Sequence, residues 1–141
     1  MRAGLCLSLG LAVVLYGGAS LAQDVHAAAF DGAWAVTVDC PASPDGDAAF
    51  FYAFKAQVSG DLIHGEHGTA GKPGSFRIDG VIQADGTANL QAAGVTGSSR
   101  YGADPTKSAP YRHPVSAHFT PQHGAGSWTA SRVCNLTFDR P

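Results

Sequence analysis

The segment His64-Gly65-Glu66-His67 holds the residue types most suited to metal chemistry. A divalent ion such as Zn²⁺ binds imidazole nitrogen and carboxylate oxygen at about 2 Å. Successive side chains on a β-strand point to opposite faces, so His64 and Glu66 share a face and His67 does not. The sequence therefore offers His64 and Glu66 as a candidate metal site. The alternative is a polar strand end that enters a glycine-rich loop.

Two further segments fail to match catalytic patterns. Residues 68–74 are glycine-rich and include Lys72, but Pro73 follows where a phosphate-binding P-loop has Ser or Thr and then a helix. Residues 97–100 lack the Gly-x-Ser-x-Gly arrangement of a serine nucleophile. No cofactor motif is present, so we expect a non-enzymatic protein without a cofactor.

Residues 1–22 have the order of a secretory signal peptide. Arg2 gives a positive start, residues 5–16 form an apolar run, and Ser20 and Ala22 occupy the −3 and −1 positions of a cleavage site. The run is shorter than the roughly 20 residues that a membrane-spanning helix needs. We therefore expect cleavage after Ala22, a periplasmic or secreted protein, and no membrane attachment after cleavage.

The mature chain, residues 23–141, is expected to be a single domain and a monomer. Removal of Arg2 leaves eight Lys and Arg against eleven Asp and Glu, a formal net charge of −3 with histidine neutral. Nucleic-acid-binding proteins usually present a basic patch or stripe. The scattered cations of this acidic chain therefore argue against a nucleic-acid partner.

Cys40 and Cys134 are the cysteines that survive cleavage, one near each end of the mature chain. An isolated pair in an oxidising compartment is typical of a structural disulfide. Metal or redox use is the alternative, but the two cysteines lack the C-x-x-C spacing of redox motifs.

Composition predicts an all-β fold. Residues 23–141 contain three leucines, one glutamate and no methionine, whereas Gly, Thr, Ser, Val and aromatic residues are common. Apolar residues alternate in short runs between turn signals, as in a small antiparallel barrel or sandwich. The pattern predicts strands over 33–40, 49–58, 62–67, 75–83, 87–95, 111–120 and 125–139. The last stretch is one long strand or two, giving seven or eight in all, and Pro114 predicts an edge or bulged position.

The register of the two terminal strands follows from their apolar residues. If Cys40 lies opposite Cys134 in an antiparallel pair, Val38 faces Leu136 and Val36 faces Phe138. Trp34 then meets Arg140. Pairing of the first strand with the last closes a sheet on itself and removes its exposed edges.

Gly32-Ala33-Trp34, with an arginine near the end of the last strand, resembles the pattern of the calycin barrels, which include lipocalins, fatty-acid-binding proteins and avidins. The resemblance implies that Trp34 packs across the closed end of a barrel. It also implies that Arg140 or Arg132 covers the indole. The expected disulfide between the chain ends departs from the avidin pattern.

A second resemblance covers almost the whole mature chain and concerns a group of small exported proteobacterial domains of unknown function. It is carried by three segments: Phe30-Asp31-Gly32-x-Trp34, His64-Gly65-Glu66-His67-Gly68-Thr69-Ala70-Gly71-x-Pro73-Gly74, and Arg132-x-Cys134-x-x-x-Phe138. The resemblance supports export and a single domain, and it implies no activity.

We expect a binding role, for a partner that is either a small molecule or a protein. Arg and Tyr are frequent interface anchors, and Arg100, Tyr101 and Arg112 are the candidate binding residues. With Lys107 and Tyr111, they are expected to gather outside the sheet around a long loop over 96–110. Trp34 is the candidate contact for a small apolar molecule in the barrel. The remaining alternative is a structural module of the cell envelope.

Overall fold

The computed structural model describes residues 29–97 and 104–141. Within these residues, eight antiparallel strands follow one another around a closed barrel, and the last strand pairs with the first. A 3-10 helix, Pro105–Lys107, precedes the sixth strand. The strands are β1 (Gly32–Cys40), β2 (Phe50–Ser59), β3 (Leu62–His67), β4 (Phe76–Ile82), β5 (Thr87–Val95), β6 (Pro110–Phe119), β7 (His123–Thr129) and β8 (Val133–Asp139).

The predicted all-β barrel is confirmed, and the barrel rather than the sandwich is the architecture that forms. The count is eight because the final stretch breaks at residues 130–132, where a turn separates β7 from β8. An even number of strands lets β1 and β8 run antiparallel in an up-and-down barrel. No helix in the described part of the chain is long and apolar enough to cross a membrane.

The predicted closure register is also confirmed. Val36 lies opposite Phe138, and Val38 lies opposite Leu136. The next inward positions carry the disulfide between Cys40 and Cys134, whose Cα atoms are 4.3 Å apart. The disulfide therefore extends a ladder of apolar pairs that already holds the first and last strands together.

The core lies inside the barrel, because each strand alternates inward-facing residues, which are mostly apolar, with more exposed outward-facing residues. Large rings occupy the end where β1 begins, and branched aliphatic side chains fill the middle. The largest fully buried side chains are Trp34, Phe76, Phe119, Phe138, Ile63, Ile78, Leu136, Val36, Val38, Val58, Val115 and Cys40. The interior is thus packed with side chains along most of its length.

The sequence predicts an edge or bulged position at Pro114, and Pro114 does lie at a local edge although β6 has a neighbour on each side in the closed barrel. It pairs with Gln91 of β5, while the pairing of β6 with β7 begins only at Ser116. Pro114, which has no backbone N–H, thus lies where β6 is hydrogen-bonded to a neighbouring strand on one side only. The local constraint on proline is met although the barrel is closed.

Candidate functional site

The two ends of the barrel differ in their connections. At the end where β1 begins, strands are joined by short turns at residues 60–61, 83–86 and 120–122. At the opposite end the connections are residues 41–49, 68–75, 96–109 and 130–132. We call these the closed end and the mouth. A pocket of about 530 Å³ opens at the mouth, within the range typical of small-molecule sites.

The closed end is covered by the contact that the calycin resemblance implied. The guanidinium of Arg140 lies 5.0 Å from the ring centroid of Trp34, and its Nη2 donates to the carbonyl of Ala29 at 3.0 Å. The indole N–H of Trp34 donates to the carbonyl of Phe30 at 2.8 Å. Arg140, and not Arg132, is the covering base.

One wall of the mouth is formed by rings of β2 and β3. Phe50 and Tyr52 are stacked with centroids 5.5 Å apart and planes 4° apart. Tyr52 in turn stacks on the imidazole of His67 at 4.5 Å and 12°. The guanidinium of Arg132 lies 5.1 Å from the Phe50 centroid. We call these four residues the β2 stack.

The facing wall carries a second run of rings. Tyr111 stacks on His113 at 5.5 Å and 29°, and His113 stacks on Trp128 at 5.8 Å and 7°. Trp128 also stacks on Phe76 at 6.0 Å and 25°. We call these residues the β6–β7 stack. Phe50, Tyr52, Tyr111, His113 and Trp128 all line the pocket.

A hydrogen bond between the hydroxyls of Tyr52 and Tyr111 joins the two stacks. Burial raises the pKa of Tyr111 to about 12, and the hydrogen bond from Tyr52 opposes part of that rise. Gly94 of β5 lies opposite Tyr111 of β6, and its lack of a side chain leaves room for the Tyr111 ring. A Cβ at this position would lie 2.1 Å from the Ser75 carbonyl oxygen and 2.7 Å from the Tyr111 hydroxyl.

Arg132 fixes one side of the pocket rim. Its Nη1 donates to the carbonyls of Pro41 at 2.6 Å and Ala48 at 2.9 Å, both in the loop between β1 and β2. The guanidinium thus holds that loop against the turn between β7 and β8. Because an arginine donates through five N–H groups in a rigid fork, it can serve two backbone carbonyls and a ring face together.

Charges of both signs surround the pocket. Asp45, Asp47 and Asp104 line it together with Lys107 and Arg132. The Thr106 hydroxyl and backbone N–H both donate to Asp104, which lowers the pKa of that carboxyl. The rim therefore has no excess of cations for a strongly anionic ligand.

The predicted binding residues do not meet at this pocket. Arg100 and Tyr101 lie outside the described residues. Arg112 is exposed on the outer face of β6, and Trp34 is fully buried at the closed end. Tyr111, expected outside the sheet, instead points into the mouth: it lies on β6 at an inward position and is half-buried.

Sequence reasoning missed the convergence of His113, Trp128 and Arg132 at the pocket. The sequence did contain a signal for two of the pocket residues. Tyr111 and His113 are an even number of residues from the buried Val115 and Phe119, so all four side chains lie on the same face of β6. That spacing predicts inward side chains.

His64 and Glu66 share the outer face of β3, as the strand alternation predicted. His64 Nδ1 lies 2.6 Å from Asp79 Oδ1, and its Nε2 lies 3.8 Å from Glu66 Oε1. Arg77 Nε lies 2.6 Å from the other oxygen of Asp79. Within residues 29–97 and 104–141, no group of three or more His, Cys, Asp or Glu is arranged to hold a metal ion. The metal site stays a prediction.

The fold and pocket define a class: a disulfide-closed, eight-stranded antiparallel barrel with a packed closed end and an aromatic mouth. Comparison of the chain with protein-family models, curated proteins and solved structures found no match.

Proposed function

We propose that this chain is an exported, non-enzymatic barrel that binds a small molecule of largely apolar character at its mouth. The observation that carries the proposal is the pocket of about 530 Å³ that is lined by aromatic rings of three strands, β2, β6 and β7. Small-molecule sites are typically concave, apolar clefts of this size with a few polar groups that fix orientation. Here the polar groups are the phenols of Tyr52 and Tyr111 and the imidazole of His113.

Export is the part of the proposal that rests on residues 1–22 and on the disulfide. Disulfides form and persist in oxidising compartments, and the bond between Cys40 and Cys134 joins the first strand to the last. Cys134 also lines the pocket. A disulfide formed after export would thus stabilise the mouth, the end of the barrel that we propose as the binding site.

A matched pair of tryptophan variants tests the binding site. Ala48 lines the pocket, and only its backbone carbonyl is used by Arg132, so Ala48→Trp fills the pocket and keeps that bond. Ala53 is exposed on the outer face of β2 and provides the control, Ala53→Trp. The oxidised proteins are incubated with a protein-free extract of cellular small molecules, and retained molecules are identified by mass spectrometry.

We expect a small molecule that the wild type and Ala53→Trp retain and Ala48→Trp does not. Retention by all three proteins would place binding away from the mouth. Retention by none would contradict the proposal and favour a protein partner or a structural role in the envelope.

The second candidate is metal binding by His64 and Glu66. Asp79 holds one imidazole nitrogen of His64, which leaves Nε2 on the side of Glu66. Metal-binding histidines commonly donate their other N–H to a carboxylate in this way. His123 is held by Asp139 at the same 2.6 Å and serves as the control. Zn²⁺ should broaden or shift the His64 resonances at lower concentration than those of His123, and His64→Ala should remove that effect. Equal response of both histidines would exclude the site.

A further inference from the structure

We infer that the ligand of the mouth pocket is a compact monocarboxylic acid, and that Arg132 binds its carboxylate. The inference rests on the proposed function and names its ligand class. Three features carry it: an unused edge of the Arg132 guanidinium, the balance of charges at the rim, and the closed floor of the pocket.

The guanidinium of Arg132 uses only part of its hydrogen-bonding capacity. Its Nη1 donates to the carbonyls of Pro41, Asp47 and Ala48. Within residues 29–97 and 104–141, its Nε and Nη2 donate to no residue, and no carboxylate forms an ion pair with it. The Nε and Nη2 hydrogens lie along one edge of the planar group, and their spacing matches the two oxygens of a carboxylate. Because Arg132 lines the pocket, a ligand carboxylate can reach this edge.

The position of the guanidinium is fixed before a ligand arrives. The carbonyls of Pro41 and Ala48 hold Nη1 at 2.6 and 2.9 Å, and the guanidinium carbon lies 5.1 Å from the Phe50 centroid. An arginine that is already ordered loses little side-chain entropy when a ligand binds. A carboxylate therefore gains more from Arg132 than from a mobile arginine at the surface, where such pairs contribute little.

The charges of the rim limit the ligand to one negative charge. Asp45 and Asp47 are exposed, and the carboxylate of Asp104 already accepts two hydrogen bonds. In the part of the chain that the structure describes, none of the three pairs with Arg132 or Lys107. Three carboxylates and two cations give the rim a formal net charge of −1. A monocarboxylate can bind through direct contact with one guanidinium, whereas the second charge of a phosphate would add to the repulsion.

The floor of the pocket limits the length of the ligand. The hydrogen bond between Tyr52 and Tyr111 crosses the lumen from β2 to β6, and the interior towards the closed end is filled by fully buried side chains. The apolar part of the ligand must therefore fit within about 530 Å³, where Ala48, Val95 and Ala130 join the aromatic residues of the lining. A compact body fits this space, and a long acyl chain finds no channel along the barrel axis.

Four probes with equal numbers of carbon atoms test the inference: adamantane-1-carboxylate, adamantane-1-carboxamide, 1-adamantylmethylammonium and undecanoate. The first three share a compact skeleton and differ in charge, and the fourth carries its carboxylate on a flexible chain. Each is titrated into the oxidised protein in near-neutral buffer and followed by two-dimensional ¹H–¹⁵N NMR. The chain has two tryptophans, so the indole N–H of Trp128 reports on the mouth and that of Trp34 on the closed end. The Nε–H signal of Arg132 reports on the carboxylate contact.

We expect adamantane-1-carboxylate to shift the signals of Trp128 and Arg132 and not that of Trp34. Its affinity should exceed that of the carboxamide by about tenfold, since charge-assisted hydrogen bonds are roughly twice as strong as neutral ones. The ammonium probe and undecanoate should bind more weakly than adamantane-1-carboxylate. Trp128→Phe and Arg132→Gln assign the reporter signals.

Arg132→Gln also tests the role of the guanidinium. It should make the affinities for the carboxylate and the carboxamide about equal. Loosening of residues 41–49 in this variant would weaken both probes alike, so the ratio of the two affinities isolates the charge contact. Lys107→Gln is the matched control, because it removes the other cation of the rim and keeps the Arg132 edge. It should preserve most of the preference for the carboxylate.

The possible failures are distinguishable. Equal affinity of the wild type for the carboxylate and the carboxamide, or tightest binding of the ammonium probe, would overturn the carboxylate class; with Trp128 shifted, the mouth would remain a binding site. A carboxylate preference that persisted in Arg132→Gln would overturn the role of Arg132. Tighter binding of undecanoate would overturn the compact body and point to an acyl ligand. If none of the probes shifted Trp128, both this inference and the proposed function would be contradicted.

Discussion

The hydroxyls of Tyr52 on β2 and Tyr111 on β6 hydrogen-bond to each other across the barrel. In a closed ring of eight strands, β2 and β6 are four strands apart and lie on opposite walls. The bond therefore spans the lumen and separates the packed interior from the pocket. It also links the β2 stack to the β6–β7 stack.

Loss of the Tyr111 hydroxyl should destabilise the fold modestly. Tyr111→Phe keeps the ring in its stack with His113 and removes one partner of the buried hydrogen bond, which costs about 1–2 kcal/mol. Urea denaturation of Tyr111→Phe, Tyr52→Phe and the double variant gives the coupling energy between the two hydroxyls. Additive losses from the single variants would mean that the hydroxyls do not interact in solution.

The same hydroxyl should make stability depend on pH in alkali. Burial raises the folded-state pKa of Tyr111 to about 12, above the ordinary value of 10. The folded state thus favours the protonated phenol. This contribution is fully present below about pH 10 and is lost as the pH rises through 12, with a slope of at most about 1.4 kcal/mol per pH unit.

Denaturation at a series of pH values from 9 to about 12 tests this dependence. Wild type should lose stability more steeply than Tyr111→Phe above pH 10, and tyrosinate absorbance should follow the same interval. Parallel curves for the two proteins would show that Tyr111 does not titrate with a raised pKa.

Removal of the disulfide should lower stability and leave the barrel topology intact. The bond between Cys40 and Cys134 closes a sequence separation of 94 residues, so the chain-entropy treatment assigns it about 4–5 kcal/mol. The apolar pairs of Val36 with Phe138 and Val38 with Leu136 still specify the register of β1 and β8. Cys40→Ala/Cys134→Ala should therefore show a much lower denaturation midpoint with an unchanged far-ultraviolet circular dichroism spectrum.

A thiol reagent provides the companion measurement for the disulfide. The chain without residues 1–22, which lacks Cys6, should show no reactive thiol before reduction and two after reduction in denaturant. Free thiols in the protein as isolated would contradict closure by this bond.

The barrel and its closure could be predicted because they depend on short-range patterns. Alternation within β1 and β8 places Val36, Val38, Leu136 and Phe138 inward, and a one-residue slip would turn all of them outward. Only one register satisfies both strands and the cysteine pair. The break before β8 was ambiguous, since residues 130–132 hold no glycine or proline to mark the turn.

The pocket could not be predicted, because it depends on how eight strands are tilted and staggered around the axis. Trp128 and Phe76 are far apart in sequence and become neighbours only when the barrel closes. Tyr111 comes directly after Pro110 and a long connection, so the sequence suggested a loop residue and hid the inward orientation of its side chain. The contacts of Arg132 with carbonyls of residues 41 and 48 carry no sequence signal, since any residue has a carbonyl.

The two arginines that lie over aromatic rings should have different roles. Arg140 covers Trp34 at 5.0 Å and binds the Ala29 carbonyl, so it closes the packed end of the core. Arg140→Ala should reduce the free energy of unfolding by about 1–3 kcal/mol, since it removes a cation–π contact and a charged hydrogen bond. Arg132 binds only the rim, so Arg132→Ala should loosen residues 41–49 by local opening with a smaller effect on global unfolding.

Hydrogen exchange and urea denaturation of the two variants separate these effects. Arg132→Ala should speed exchange in residues 41–49 while the core strands stay protected, and Arg140→Ala should shift the urea midpoint more. An equal loss of global stability in both variants would show that the mouth and the closed end unfold as one cooperative unit. The rim would then unfold together with the core and would not open locally.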